Sequence, residues 1–165
     1  MANVQNHSSS PIVSGVNDPE DVASQVQVLW YYWSFDLAGQ IGLLGITGWM
    51  GWTTGGMGLL PDWFTWLPGL ILVIACPASH VARAQLYKLH WRGDAVSVEG
   101  YGSAFWCHSI ILNMVSLVGA ISFSFAGVTW PAAIAVGAGL LIQIAAHPIA
   151  TPMQGQPPRL GVQDE

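Results

Sequence analysis

The stretch Gly39–Gly51, GQIGLLGITGWMG, carries a glycine at every third position, with only Gln40 and Thr47 polar between them. In a soluble helix each glycine costs about 1 kcal/mol relative to alanine, so this density would break the helix. In lipid the outcome differs. The backbone has no water to turn to, helices persist through glycine, and small residues become packing surfaces. Composition decides between the two settings. The 165-residue chain is 52% hydrophobic and 8% charged, against about 25% charged in an ordinary soluble domain. These values point to an integral membrane protein.

Working outward, four segments approach the roughly 20 apolar residues that cross a bilayer. They cover about 30–50, 64–84, 104–126 and 131–149. Tryptophans mark their ends: Trp30 and Trp33, Trp49 and Trp52, Trp63 and Trp66, Trp91 and Trp106, and Trp130. Indole rings favour the membrane interface, so these residues predict two aromatic belts. The expected fold is an all-α, four-transmembrane-helix bundle. Its basic residues, Arg83, Lys88, Arg92 and Arg159, all fall on one side of that topology. The positive-inside rule then places both termini in the cytoplasm, in a plasma (inner) membrane if the source is bacterial.

Residues 1–26 form a polar segment without the basic and apolar regions of a cleaved signal peptide, and span one is expected to act as its own insertion signal. Asn17 is a candidate N-cap for a short helix opening at Asp18-Pro19-Glu20. Residues 27–150 are the transmembrane domain. Residues 151–165 form a proline-broken tail expected to run irregularly over a surface. The net charge of −5 argues against a nucleic-acid partner. Cys76 and Cys107 fall on the reducing side, which disfavours a disulfide.

Three residues advance a helix by about 300°, so Gly39, Gly42, Gly45, Gly48 and Gly51 form a groove that winds around span one. Such a face suits close contact with the bilayer-embedded subunits of a partner complex. It also suits a flat or elongated ligand. Intramembrane ionisable groups are functional candidates by default. Asp36, His80, His108 and His147 supply one from each span at a common, cytoplasm-proximal level. Gln40, Cys76 and Gln143 stand four residues from Asp36, His80 and His147 and share their helix faces. Arg83, one turn from His80, is an alternative partner for Asp36.

Imidazoles suit haem iron, chlorophyll-type magnesium, copper or non-haem iron, so His80, His108 and His147 are candidate metal ligands. All four residues are candidate cofactor contacts. A quinone head group fits the layer with the least strain, since it needs a few hydrogen-bonding groups and an apolar slot. Phosphate-binding loops, paired-cysteine metal motifs and nucleophile elbows are missing. The leading expectation is a small subunit of a respiratory or photosynthetic electron-transfer complex, mainly structural, with a quinone, pigment or haem near the cytoplasmic face. The alternatives are a compact metal-dependent membrane enzyme using Asp36 and the histidines, and an assembly scaffold without a site.

Overall fold

The structure, a computed structural model, describes residues 17–154. Helix α1 spans Pro19–Thr54. A 3-10 turn, Asp62–Trp66, leads into α2, Leu67–Leu89. A two-stranded antiparallel hairpin follows, β1 Trp91–Arg92 and β2 Ala95–Val96. Then come α3, Val98–Ala126, α4, Trp130–Ala145, and the single turn α5, Thr151–Gln154. The hairpin supplies the only strands among the described residues.

Two helical segments are long and apolar enough to cross a membrane: Trp63–Leu89, which joins the 3-10 turn to α2, and α3. Helix α4 is strongly apolar but has only 16 residues, a rise of about 24 Å. Helix α1 rises about 54 Å over its 36 residues, but its tryptophans, tyrosines and glycines dilute its hydropathy.

The start of α1 differs from expectation. Asp18, not Asn17, is the N-cap, and its carboxylate accepts from Glu20 N at 2.9 Å. Proline at N1 suits this start, and no break separates a short leading helix from the first apolar segment. Asn17 instead reaches across the fold. Its Nδ2 donates to Val96 O at 3.0 Å and Met153 O at 2.8 Å, while Val98 N donates to its Oδ1 at 3.2 Å. One side chain thus ties the foot of α1 to the hairpin, the start of α3 and α5. The first part of the expected irregular tail is accordingly helical, and Met153 is buried. Residues 1–16 and 155–165 lie outside the described residues.

Helix α3 is the axis, with α1, α2 and α4 all packed against it. It buries two separate apolar clusters. One gathers Val22, Leu29, Val96, Tyr101, Phe105 and Met153. The other gathers Leu44, Ala120, Phe123, Ala132 and Val136. Between these clusters α1 and α3 meet through the polar side chains of Asp36, Gln40, Asn113 and Ser116, which make the site below.

The expected groove of five glycines is divided. A Cβ on Gly51 would collide with the Phe123 carbonyl, so this glycine is required for the close approach of α1 to α3. Gly48 also faces Phe123, but Gly39, Gly42 and Gly45 meet nothing within 4 Å. Much of the rest of α1 is uncovered, with Phe35 82% and Trp52 79% exposed.

The fourth apolar segment is helical only in part. Helix α4 stops at Ala145, and residues 147–149 have no regular structure. The residue before a proline is pushed out of the helical region, so His147-Pro148 explains the stop. Trp33 Nε1 donates to Gln143 O at 3.1 Å, and Tyr101 OH accepts from Ile149 N at 2.8 Å. Side chains of α1 and α3 thereby replace bonds that a longer α4 would have made itself.

Candidate functional site

Midway along α3, three helices converge on the Asp36 carboxylate. Its Oδ2 accepts from Gln40 Nε2 at 3.1 Å, Gln143 Nε2 at 2.8 Å and Asn113 Nδ2 at 3.2 Å. Its Oδ1 accepts from Asn113 Nδ2 at 3.0 Å. Asn113 Oδ1 in turn accepts from Gln40 Nε2 at 2.7 Å and Gln143 Nε2 at 3.1 Å. Ser116 Oγ donates to Gln40 Oε1 at 2.6 Å. Helical spacing prepares this cage on each element. Asp36 and Gln40 are four apart on α1, and Asn113 and Ser116 are three apart on α3, so each pair shares a face. Gln143 stands in the last turn of α4, where the helix end brings it against the other two.

The charge in this cage is met by neutral amides. Arg83 is engaged elsewhere: its Nε donates to Tyr87 OH at 3.0 Å, with the guanidinium 5.3 Å from that ring's centroid. The carboxyl end of α4 adds the partial negative charge of a helix C-terminus beside Asp36. The local field therefore favours a cation or a hydrogen-bond donor.

One side of the cage is open. A groove of about 350 Å³ is lined by Tyr32, Phe35, Asp36, Gly39, Gln40, Leu43 and Trp106. Tyr32 and Trp106 form its aromatic wall, their rings edge-to-face at 5.2 Å. Gly39 leaves space beside the carboxylate, since a side chain there would meet no neighbour.

The expected layer of Asp36, His80, His108 and His147 divides into three places. Asp36 lies in the amide cage. His80 and His108 stand side by side across α2 and α3, ring centroids 5.1 Å apart and planes at 50°. His147 lies against Trp30, centroids 5.7 Å apart. Among the described residues no group of three His, Cys, Asp or Glu side chains is placed to hold one metal ion. A haem held between two imidazoles would set their ring centroids roughly 6 Å apart, given nitrogen-to-metal bonds of about 2 Å. The 5.1 Å pair is tighter than that. His80 is exposed, whereas His108 is buried, with the Ser79 backbone beside its ring and no well-formed hydrogen bond at either ring nitrogen. Cys76 and Cys107 are free thiols.

Asn113 and Ser116, which complete the cage, lie outside the expected layer of ionisable groups. Their signal was present: Asn113 is the only carboxamide in the apolar run of α3, one turn before Ser116. No family model, curated protein or solved structure matches this chain.

Proposed function

We propose that this chain is a small integral membrane protein with four spans and both termini cytoplasmic, serving as an accessory subunit of an electron-transfer complex. In this reading its groove on α1 holds the ring of a lipophilic, quinone-type molecule. The membrane assignment is supported by what the apolar helices leave uncovered. Only 17% of the most apolar window of the Trp63–Leu89 segment is buried within the chain. A soluble core helix would be mostly covered, and monomeric soluble proteins rarely expose large apolar patches. The fourth crossing is made by α4 together with residues 146–150. Ala146 is still in a turn and residues 147–149 have no regular structure. This stretch therefore adds less than the roughly 16 Å that five fully extended residues would span. Non-helical backbone is tolerated at that depth where protein covers it, and Pro148 is fully buried.

The observation that carries the ligand reading is the groove itself: a carboxylate on its floor, aromatic rings on its wall and open space at Gly39. No histidine lines it, so a ring held by hydrogen bonds suits it better than haem or a magnesium pigment that needs an axial imidazole.

Native-membrane purification in mild detergent, followed by solvent extraction, tests this. The expected result is about one lipophilic ring compound per chain, lost from a Gly39→Leu variant, together with co-purifying redox-active subunits. Equal extract from both proteins would refute the groove, and a solitary chain would refute the subunit role.

The unbonded, buried His108 beside His80 favours a second reading, a metal-dependent membrane enzyme. Metal bound stoichiometrically by the wild type and lost in His108→Ala would establish it over the first.

A further inference from the structure

The hydrogen-bond accounting of the cage specifies the polar end of the molecule the groove takes, an inference that rests on the ligand reading above. A carboxamide has two N–H donors and a carboxylate oxygen has two lone-pair positions. Both N–H groups of Gln40 are engaged, one on Asp36 Oδ2 and one on Asn113 Oδ1. Asp36 Oδ2 already receives three contacts, whereas Oδ1 receives only Asn113 Nδ2. Gln40 Oε1 receives only Ser116 Oγ. Asn113 and Gln143 do not line the groove. The floor therefore has acceptor positions left on Asp36 and Gln40 and no free N–H.

The groove's remaining polar hydrogens belong to Tyr32 and Trp106 on the aromatic wall, and Tyr32 stands a full turn from Asp36 along α1. A carbonyl directed at the floor would meet an acceptor, with the carboxyl end of α4 adding to the repulsion. A hydroxyl directed there would find a carboxylate oxygen with a vacant lone-pair position. The walls are apolar and aromatic, which suits a ring. We infer that the groove selects a lipophilic ring bearing a hydroxyl group, a phenol or hydroquinone, over the corresponding quinone, with the hydroxyl donating to Asp36 Oδ1.

The test uses the full chain in lipid nanodiscs under anaerobic conditions. Three ligands of one skeleton and one short alkyl tail are compared by equilibrium binding: the hydroquinone, its dimethyl ether and the quinone. A hydrogen bond to a charged acceptor corresponds to roughly 10- to 100-fold in affinity. The hydroquinone is expected to bind at least tenfold tighter than either analogue. Asp36→Asn is expected to shrink that ratio to below threefold, and Gly39→Leu, which adds a side chain in open space, to abolish binding of all three. Should Asp36→Asn fail to fold, the three-ligand comparison on the wild type still decides. Quinone or ether binding as tight as the hydroquinone would overturn this inference and leave the groove standing. No binding of any ligand, with Gly39→Leu indistinguishable from wild type, would remove the groove reading itself.

Discussion

Replacing Asn113 by leucine removes the centre of the polar cage while keeping the same branched side-chain skeleton. Asp36 loses the N–H that reaches both its oxygens, and Gln40 and Gln143 each lose the acceptor of one N–H. A hydrogen bond to a charged group contributes about 1.5–3 kcal/mol. Interhelical hydrogen bonds in membranes average about 0.6 kcal/mol, so two neutral ones add about 1.2. The expected destabilisation is therefore about 3–4 kcal/mol. Ser116→Ala removes a single neutral bond and should cost about 0.6 kcal/mol on the same scale. Reversible denaturation by increasing SDS in mixed micelles, followed by circular dichroism, measures both. A loss for Asn113→Leu no larger than that for Ser116→Ala would refute the cage as a source of stability.

A double-mutant cycle sharpens the test. Asp36→Leu leaves donors without an acceptor, and Asn113→Leu leaves the carboxylate short of one. Removing both partners is less costly than the sum, because the charge whose desolvation must be met is gone. The expected coupling is at least about 1.5 kcal/mol, and additivity within about 0.5 kcal/mol would mean the two side chains act independently.

Other substitutions probe the rest of the frame. Gly51→Leu forces a side chain into the Phe123 carbonyl and should destabilise by about 1–3 kcal/mol or more. Gly42→Leu, in open space, should leave the same SDS midpoint unchanged. Met153→Ala empties a position buried among Val22, Leu29 and Tyr101 and should cost about 2–5 kcal/mol, read as a fall in thermal midpoint in detergent. Trp33→Phe keeps the ring but loses the N–H that meets Gln143 O. Faster amide exchange at the last turn of α4 is expected, and unchanged exchange would show that the indole N–H is not what ends that helix. Reporter fusions at both ends of the chain should be active only on the cytoplasmic side, and a periplasmic signal from either would overturn the four-span topology.

The cage was half legible in the sequence, and each half has a reason. Asp36, Gln40 and Gln143 stand out because a polar side chain inside an apolar segment is costly and needs a partner. Asn113 was hidden by the same logic applied too narrowly, since a neutral amide draws less notice than a histidine yet supplies both donor and acceptor. The adjacency of His80 and His108 follows from antiparallel neighbours of known length, whereas their separation from His147 depends on where α4 ends. Depth also shifted. Counting from Trp30 places Asp36 near a membrane face, but α1 begins at Pro19 and Asp36 faces Asn113, sixteenth of the 29 residues of α3. Hydropathy sees apolar length and cannot see how far a helix continues beyond it.

The early end of α4 and the polar cage explain one another. A helix that ends inside a protein must find partners for its last carbonyls, and a carboxylate far from either end of α3 must find donors. Gln143 answers both needs from one residue: its backbone carbonyl takes Trp33 Nε1, and its side-chain amide serves Asp36 and Asn113. Had α4 continued as a helix through residue 149, the His147-Pro148 step would have been strained. Ile149 N would also have been withdrawn from Tyr101 OH. Stopping at Ala145 instead brings the negative end of a helix beside a carboxylate, an arrangement unfavourable in electrostatic terms unless a donor arrives. Structures keep such local conflicts where function requires them. The conflict here faces the groove that Gly39 leaves open beside Asp36, and this is the observation on which the proposed hydroxyl-bearing ring rests.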